Sequence, residues 1–140
     1  MLLLERRDKI PVDLKYPSVA ELIQLNKDVL SEIRAKRADR HQVLSHKKLE
    51  TILETIQKDP GDVYDKATIM LCELIRRHPF ASGTRRTALV ATKAFLLQNG
   101  IAINRTFNAN ILTGIRENFY TTTEVKNWLK GYEIRQFQRY

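Results

Sequence analysis

The sequence predicts an all-α protein folded as one compact, single-domain helical bundle, and three observations carry that prediction. Apolar residues recur at the three-to-four-residue spacing of a helix in one segment after another. Helix-starting and helix-stopping residues stand at the ends of those segments, with Ser18 and Glu21, and again Thr121 and Glu124, at capping-box spacing. The one stretch that reads as extended, Ile101-Ala102-Ile103, has no evident partner strand.

Pro17-Ser18 opens the first helix, whose apolar stripe runs through Val19, Leu22, Ile23, Val29, Leu30 and Ile33 before giving way to Arg34, Lys36, Arg37 and Arg40. A short helix carrying Leu49, Ile52, Leu53 and Ile56 follows, and Asp59-Pro60-Gly61 ends it. The next presents Val63, Ala67, Met70, Leu71, Leu74 and Ile75 and delivers the chain to His78. A strongly apolar helix is expected from Thr84 to about Gln98, with Leu89, Val90, Phe95 and Leu96 as core and Asn99-Gly100 as its left-handed stop. A further helix is expected from Asn108 to Asn118, and a last one bears Val125, Trp128 and Leu129. The C-terminal Tyr132, Arg135, Phe137, Arg139 and Tyr140 read as a helical tail that packs on the bundle or on a partner.

With 140 residues, 43% of them hydrophobic, the chain suits one domain with a real core, its body at about 17–137 and an N-terminal extension at 1–16. A net charge of +8 favours acidic partners without choosing among nucleotide, nucleic acid and protein. Cys72 is the only cysteine, which rules out an intrachain disulfide; its apolar helical setting points to an inert buried thiol and a reducing compartment. Met1-Leu2-Leu3-Leu4 is too short for a secretory apolar region, and no run approaches a membrane span, so a soluble, cytoplasmic protein without membrane attachment is expected.

The most informative stretch is His78-Pro79-Phe80-Ala81-Ser82-Gly83-Thr84-Arg85-Arg86-Thr87-Ala88-Leu89, where a histidine and two arginines flank a loop-to-helix junction. A helix beginning near Thr84 turns its unpaired N–H groups and positive dipole end toward an anion. Gly83 allows close backbone approach, and Arg85 and Arg86 offer forked donors suited to phosphate oxygens. His78 is placed to take a proton from an attacking hydroxyl near neutral pH. Transfer of a phosphate-containing group from a nucleotide to a hydroxyl uses these parts. Read in isolation, the same residues also describe a solvated basic loop with a surface histidine.

Over this longer stretch the chain resembles the Fic/Doc family, whose signature runs His-x-Phe-x-(Asp/Glu)-x-Asn-(Gly/Lys)-Arg. Arg86-Thr87-Ala88-Leu89 is similar to the Doc (death-on-curing) branch, which continues Arg-Thr-Ala, whereas the Fic branch usually has a second arginine where Leu89 stands. Similarity extends through Phe95-Leu96-Leu97-Gln98-Asn99-Gly100 and Glu124-Val125-Lys126-Asn127-Trp128-Leu129, and upstream to Val43-Leu44 and Leu49-Glu50. The resemblance implies the all-α Fic fold and a toxin-type transferase that moves a phosphoryl or AMP group from ATP or a related nucleotide to a protein hydroxyl. The protein substrate would be one such as a translation factor, and an antitoxin acting in trans would cover the nucleotide site. His78 becomes the catalytic base, Gly83, Thr84, Arg85 and Arg86 the nucleotide-phosphate site, and Phe80 the structural anchor of the motif.

Two positions depart from the family pattern. The acid that holds Mg²⁺ falls on Ser82, a weak substitute because a hard divalent cation prefers charged oxygen. The family's asparagine falls on Thr84, which still suits a helix cap but lacks the amide donor. Mg²⁺ is therefore held by phosphate and water alone, or by another acid, or catalysis has decayed and the chain is a nucleotide- or protein-binding module. Thr113-Gly114-Ile115-Arg116-Glu117-Asn118 also fits the Ser/Thr-x-x-x-Glu-(Gly/Asn) pattern of the inhibitory helix found in many Fic proteins. Its arginine partner would be at Leu89, so Glu117 is read as a surface acid.

His41 and His46, five apart and without cysteines or acids at metal-ligand spacing, read as surface residues, although the resemblance places 37–46 near a flap that docks the target. The basic run Arg34, Lys36, Arg37 and Arg40 reads as a solvated helix end in preference to a nucleic-acid face. Nucleic-acid binding rests on charge alone and ranks last among the three functions.

Overall fold

Residues 13–32 and 42–138 are described by the structure, a computed structural model, and they form six helices: α1 (Val19–Glu32), α2 (His46–Lys58), α3 (Val63–Arg77), α4 (Thr84–Gln98), α5 (Ala109–Arg116) and α6 (Thr122–Leu129). The protein is all-α, as the periodicity predicts, and among the described residues no helix is long and apolar enough to cross a membrane. Met1–Asp8, Ile33 and the basic run Arg34–Arg40, His41, Arg139 and Tyr140 lie outside the described residues.

Helix α3 is the hub. It packs against α2, α4, α5 and α6, while α1 lies on α4 and α2. Because it is surrounded, α3 buries Ala67, Met70, Leu71, Cys72, Leu74 and Ile75 instead of a narrow stripe. Leu22, Leu49, Ile52, Ile56, Phe95, Leu96, Leu112 and Val125 complete one continuous core. Each such side chain contributes about 1.5–3 kcal/mol through removal from water. Cys72 is 6% exposed, and burial pushes its thiol up to about 11, so it is an inert packing group.

Caps fix the helix starts. Ser18 and Glu21 exchange the two bonds of a capping box at α1, and Thr121 and Glu124 do the same at α6. Asp62 and Asp65 form a further capping box at α3. Lys126 reaches from α6 to Asp65 at 2.8 Å and Asp62 at 3.7 Å, tying that helix to the start of α3. Lys66 is a buried lysine at 6% exposure: its Nζ donates to the carbonyls of Ile56 at 2.9 Å and Asp59 at 2.6 Å, closing the C-terminal end of α2.

Two expectations are corrected. Val90 is 39% exposed, because Leu89 and Ala91 take the inward positions and the helical repeat turns the residue between them to solvent. The C-terminal segment is not helical: Gly131 turns the chain at φ 108°, and 132–138 run back over α5 and α6 without helical hydrogen bonds. Side chains satisfy that backbone instead. Asn110 exchanges two bonds with the Phe137 peptide, and Arg105 donates to the Tyr132 carbonyl at 2.7 Å. Arg135 binds Glu124 at 2.6 Å and lies 4.0 Å from the Phe119 ring centroid, so this cation is held by the bundle.

Candidate functional site

At the junction of α3 and α4 the chain turns sharply. His78 caps α3 in the left-handed conformation (φ 52°, ψ 61°), which costs a non-glycine residue about 1–2 kcal/mol. Pro79 prevents the helix from continuing. Lys48 closes the end of α3 by donating Nζ to the Arg77 carbonyl at 2.9 Å. The His78 side chain is left exposed.

The loop that follows is fastened from three sides. On its outer side Val43 and Phe80 form an antiparallel bridge, with the Leu44 N–H donating to the Pro79 carbonyl at 2.8 Å and the Ala81 N–H to the Gln42 carbonyl at 2.9 Å. Beneath it Phe80 is 1% exposed and part of the core. On the inner side Asn26, fully buried on α1, donates to the Ser82 carbonyl at 3.0 Å and to the Thr87 hydroxyl at 3.0 Å.

Helix α4 starts without a side-chain cap. Its N-cap is Gly83 (φ 72°), whereas Ser18, Ser45, Asp62, Asn108 and Thr121 cap the other five helices with side-chain oxygens. Thr84 therefore differs from the expected cap. It is the first helical residue, 5% exposed, and its hydroxyl donates inward to the Phe80 carbonyl at 3.2 Å. The first intrahelical bond runs from the Thr87 N–H to the Gly83 carbonyl, which leaves the N–H groups of 84–86 at the positive end of the dipole.

A cavity of about 440 Å³ opens in front of this helix end. His78, Ser82, Gly83, Thr84, Arg85 and Arg86 all line it, together with Phe107 and Arg116. Among the described residues that line it, three are arginines and none is aspartate or glutamate. Among the described residues no group of three or more histidines, cysteines or carboxylates stands ready for a metal ion. The donor set at Ser82 does not fit an acid-held divalent cation.

The arginines are placed in different ways. Arg86 is exposed, with its guanidinium 3.9 Å from the Phe107 ring centroid, a stack that orients the cation. Arg85 is partly buried and donates Nη1 to the Thr113 hydroxyl at 2.5 Å. Burial, and then the charge of Arg116, lowers its ordinary affinity for the proton, although arginine remains charged at physiological pH. Arg116 pairs with the exposed Glu117 at 3.3 Å. Leu89 is 3% exposed in the core and offers Glu117 no cation.

Sequence reasoning missed Arg116, Phe107 and Asn26. Arg116 and Phe107 carry no local signal, since they reach the motif only through the packing of α5 and its preceding segment. Asn26 had one: it is a polar residue in the apolar stripe, four residues after Leu22 and four before Leu30. His46 is an exposed residue at the start of α2.

The model of the Fic/DOC family matches residues 16–96, more than half of the chain, and the matched span includes α1 to α3, the histidine loop and most of α4. No curated protein matches the sequence.

Proposed function

Because the chain belongs to the Fic/DOC family, we propose that it is a nucleotide-dependent transferase that moves a phosphoryl or AMP group from ATP or a related nucleotide to a hydroxyl of a protein. The observation that carries this reading is the convergence of His78, the uncapped start of α4 and the arginine side chains on one cavity.

His78 takes the proton of the attacking hydroxyl. The oxygen forms a new bond to phosphorus as the bond to the leaving group breaks, releasing the nucleoside diphosphate for phosphoryl transfer or pyrophosphate for AMP transfer. The N–H groups of 84–86, with Arg85 and Arg86, meet the negative charge on the phosphate oxygens. Arg86-Thr87-Ala88 and the core position of Leu89 support a Doc-like arrangement, and with it a cytoplasmic toxin-type role in which an antitoxin covers the cavity. Arg135 is engaged within the bundle, which weighs against nucleic-acid binding through the C-terminal segment.

The test uses ATP labelled at the α- or γ-phosphate, incubated with the protein and a lysate of its source cells beside a His78→Ala control. Protein-bound label that disappears with His78→Ala supports transfer, and the labelled position distinguishes AMP from phosphoryl. Equal labelling by the variant overturns it.

A second reading, a decayed binding module, is favoured by the lack of any carboxylate among the described residues that line the cavity. Label transfer that appears only in Ser82→Asp/Thr84→Asn would support it, while His78-dependent transfer by the unaltered chain would exclude it.

A further inference from the structure

We propose that Arg116 is a third cation of the phosphate site and that this site binds a polyphosphate without a divalent cation. The inference rests on the phosphate-handling reading of the cavity above and deepens it.

Arg116 ends α5, which two contacts fix against the histidine loop and its scaffold. Arg76 on α3 donates Nε to the Ile115 carbonyl at 3.1 Å, closing the end of α5 beside Arg116. Arg85 on α4 donates to Thr113, three residues before Arg116 and therefore on the same helical face. The Arg116 side chain is 44% exposed and lines the cavity, and its ion pair with Glu117 is itself exposed. Such a surface pair is worth little, so a phosphate oxygen competes with it readily.

The charges decide the metal question. A nucleotide polyphosphate brings several negative charges, which a protein site meets with metal ions, with arginines, or with both. Here Arg85 and Arg116 are close enough for their like charges to oppose each other, and Arg86 and the dipole of α4 add to the same sign. An anion relieves that repulsion. A divalent cation would add to it, and would meet the hydroxyl of Ser82 where a carboxylate is needed. Arginine also grips phosphate through two parallel donors, a geometry that lysine lacks.

The experiment is calorimetric titration of the protein with ATP and, separately, with inorganic tripolyphosphate, each in EDTA and in excess Mg²⁺. Arg116→Gln and Arg116→Lys are run beside the unaltered chain, and thermal unfolding checks that each variant is folded. The expected result is metal-free binding of both probes, with Mg²⁺ tightening neither by more than about threefold. Losing one charge-assisted pair in Arg116→Gln should weaken both by about tenfold or more, with a smaller loss in Arg116→Lys. Tighter binding in Mg²⁺ beyond that limit, unaltered binding by Arg116→Gln, or no binding of either probe would overturn the inference. His78-dependent label transfer alongside metal-requiring, Arg116-independent binding would sink this inference and leave the transferase standing. Metal-free, Arg116-dependent binding without His78-dependent transfer would do the reverse.

Discussion

Asn26 and Thr87 meet inside the bundle, where the Asn26 amide donates to the Thr87 hydroxyl at 3.0 Å while the same nitrogen holds the Ser82 carbonyl at 3.0 Å. One side chain on α1 thereby ties the histidine loop to the first turn of α4. Asn26→Ala removes both bonds of a fully buried side chain, and a loss of about 2–3 kcal/mol is expected from urea unfolding. Gly83→Ala strikes the same loop through its backbone. At φ 72°, and with the Leu30 Cδ2 3.0 Å from the position of an added Cβ, about 1–2 kcal/mol should be lost. Stability equal to that of the unaltered protein in both variants would show that the loop is not held in this way.

Phe107→Ala removes the ring on which Arg86 rests. A stack of this kind contributes about 0.5–2 kcal/mol, so ATP affinity should fall by roughly twofold to thirtyfold, and the melting temperature should drop as well because the ring packs partly buried against the core. Unchanged affinity by calorimetry would mean that Arg86 needs no orienting partner.

Lys66→Met keeps the aliphatic stem but withdraws the donor from the carbonyls of Ile56 and Asp59. Carbonyls left without a donor cost about 1–3 kcal/mol each, and a total loss of about 2–6 kcal/mol is expected in chemical unfolding. A neutral result would identify Lys66 as packing through its stem alone.

Glu124 supplies a pH signature. The Arg135 guanidinium, with help from the Thr121 backbone N–H, holds its carboxyl down to about 2, below the ordinary 4.5. A depressed carboxylate stabilises the fold at pH above its unfolded value, and that contribution is lost as protons bind on the way down to the folded value. The stability difference between the unaltered protein and Glu124→Gln should therefore shrink as pH falls from about 4.5 toward 2. A difference constant across that window would contradict the pairing.

Much of the helical frame was legible because its signals are local. Ser18 with Glu21, Thr121 with Glu124, and Asn99-Gly100 each declare a helix end within a few residues, and Thr84–Gln98 begins and stops where the sequence indicates. Val90 was misread because an apolar residue within a mostly apolar helix carries no phase of its own. The tail at 132–138 was misread because its backbone is satisfied by Asn110 and Arg105, residues distant in sequence. The same limit applies to the site. His78, Gly83, Arg85 and Arg86 form a contiguous motif, whereas Asn26, Phe107 and Arg116 join it only through tertiary packing.

The most direct measurement is a crystal structure of the complex with a non-hydrolysable ATP analogue, read for the distances from its phosphate oxygens to the N–H groups of 84–86 and to the His78 imidazole. The expected result is phosphate oxygens within hydrogen-bond reach of those N–H groups, roughly 2.7–3.2 Å, with His78 facing the phosphorus from the open side of the cavity. An analogue seated elsewhere on the bundle, or with its phosphates turned away from the start of α4, would contradict it.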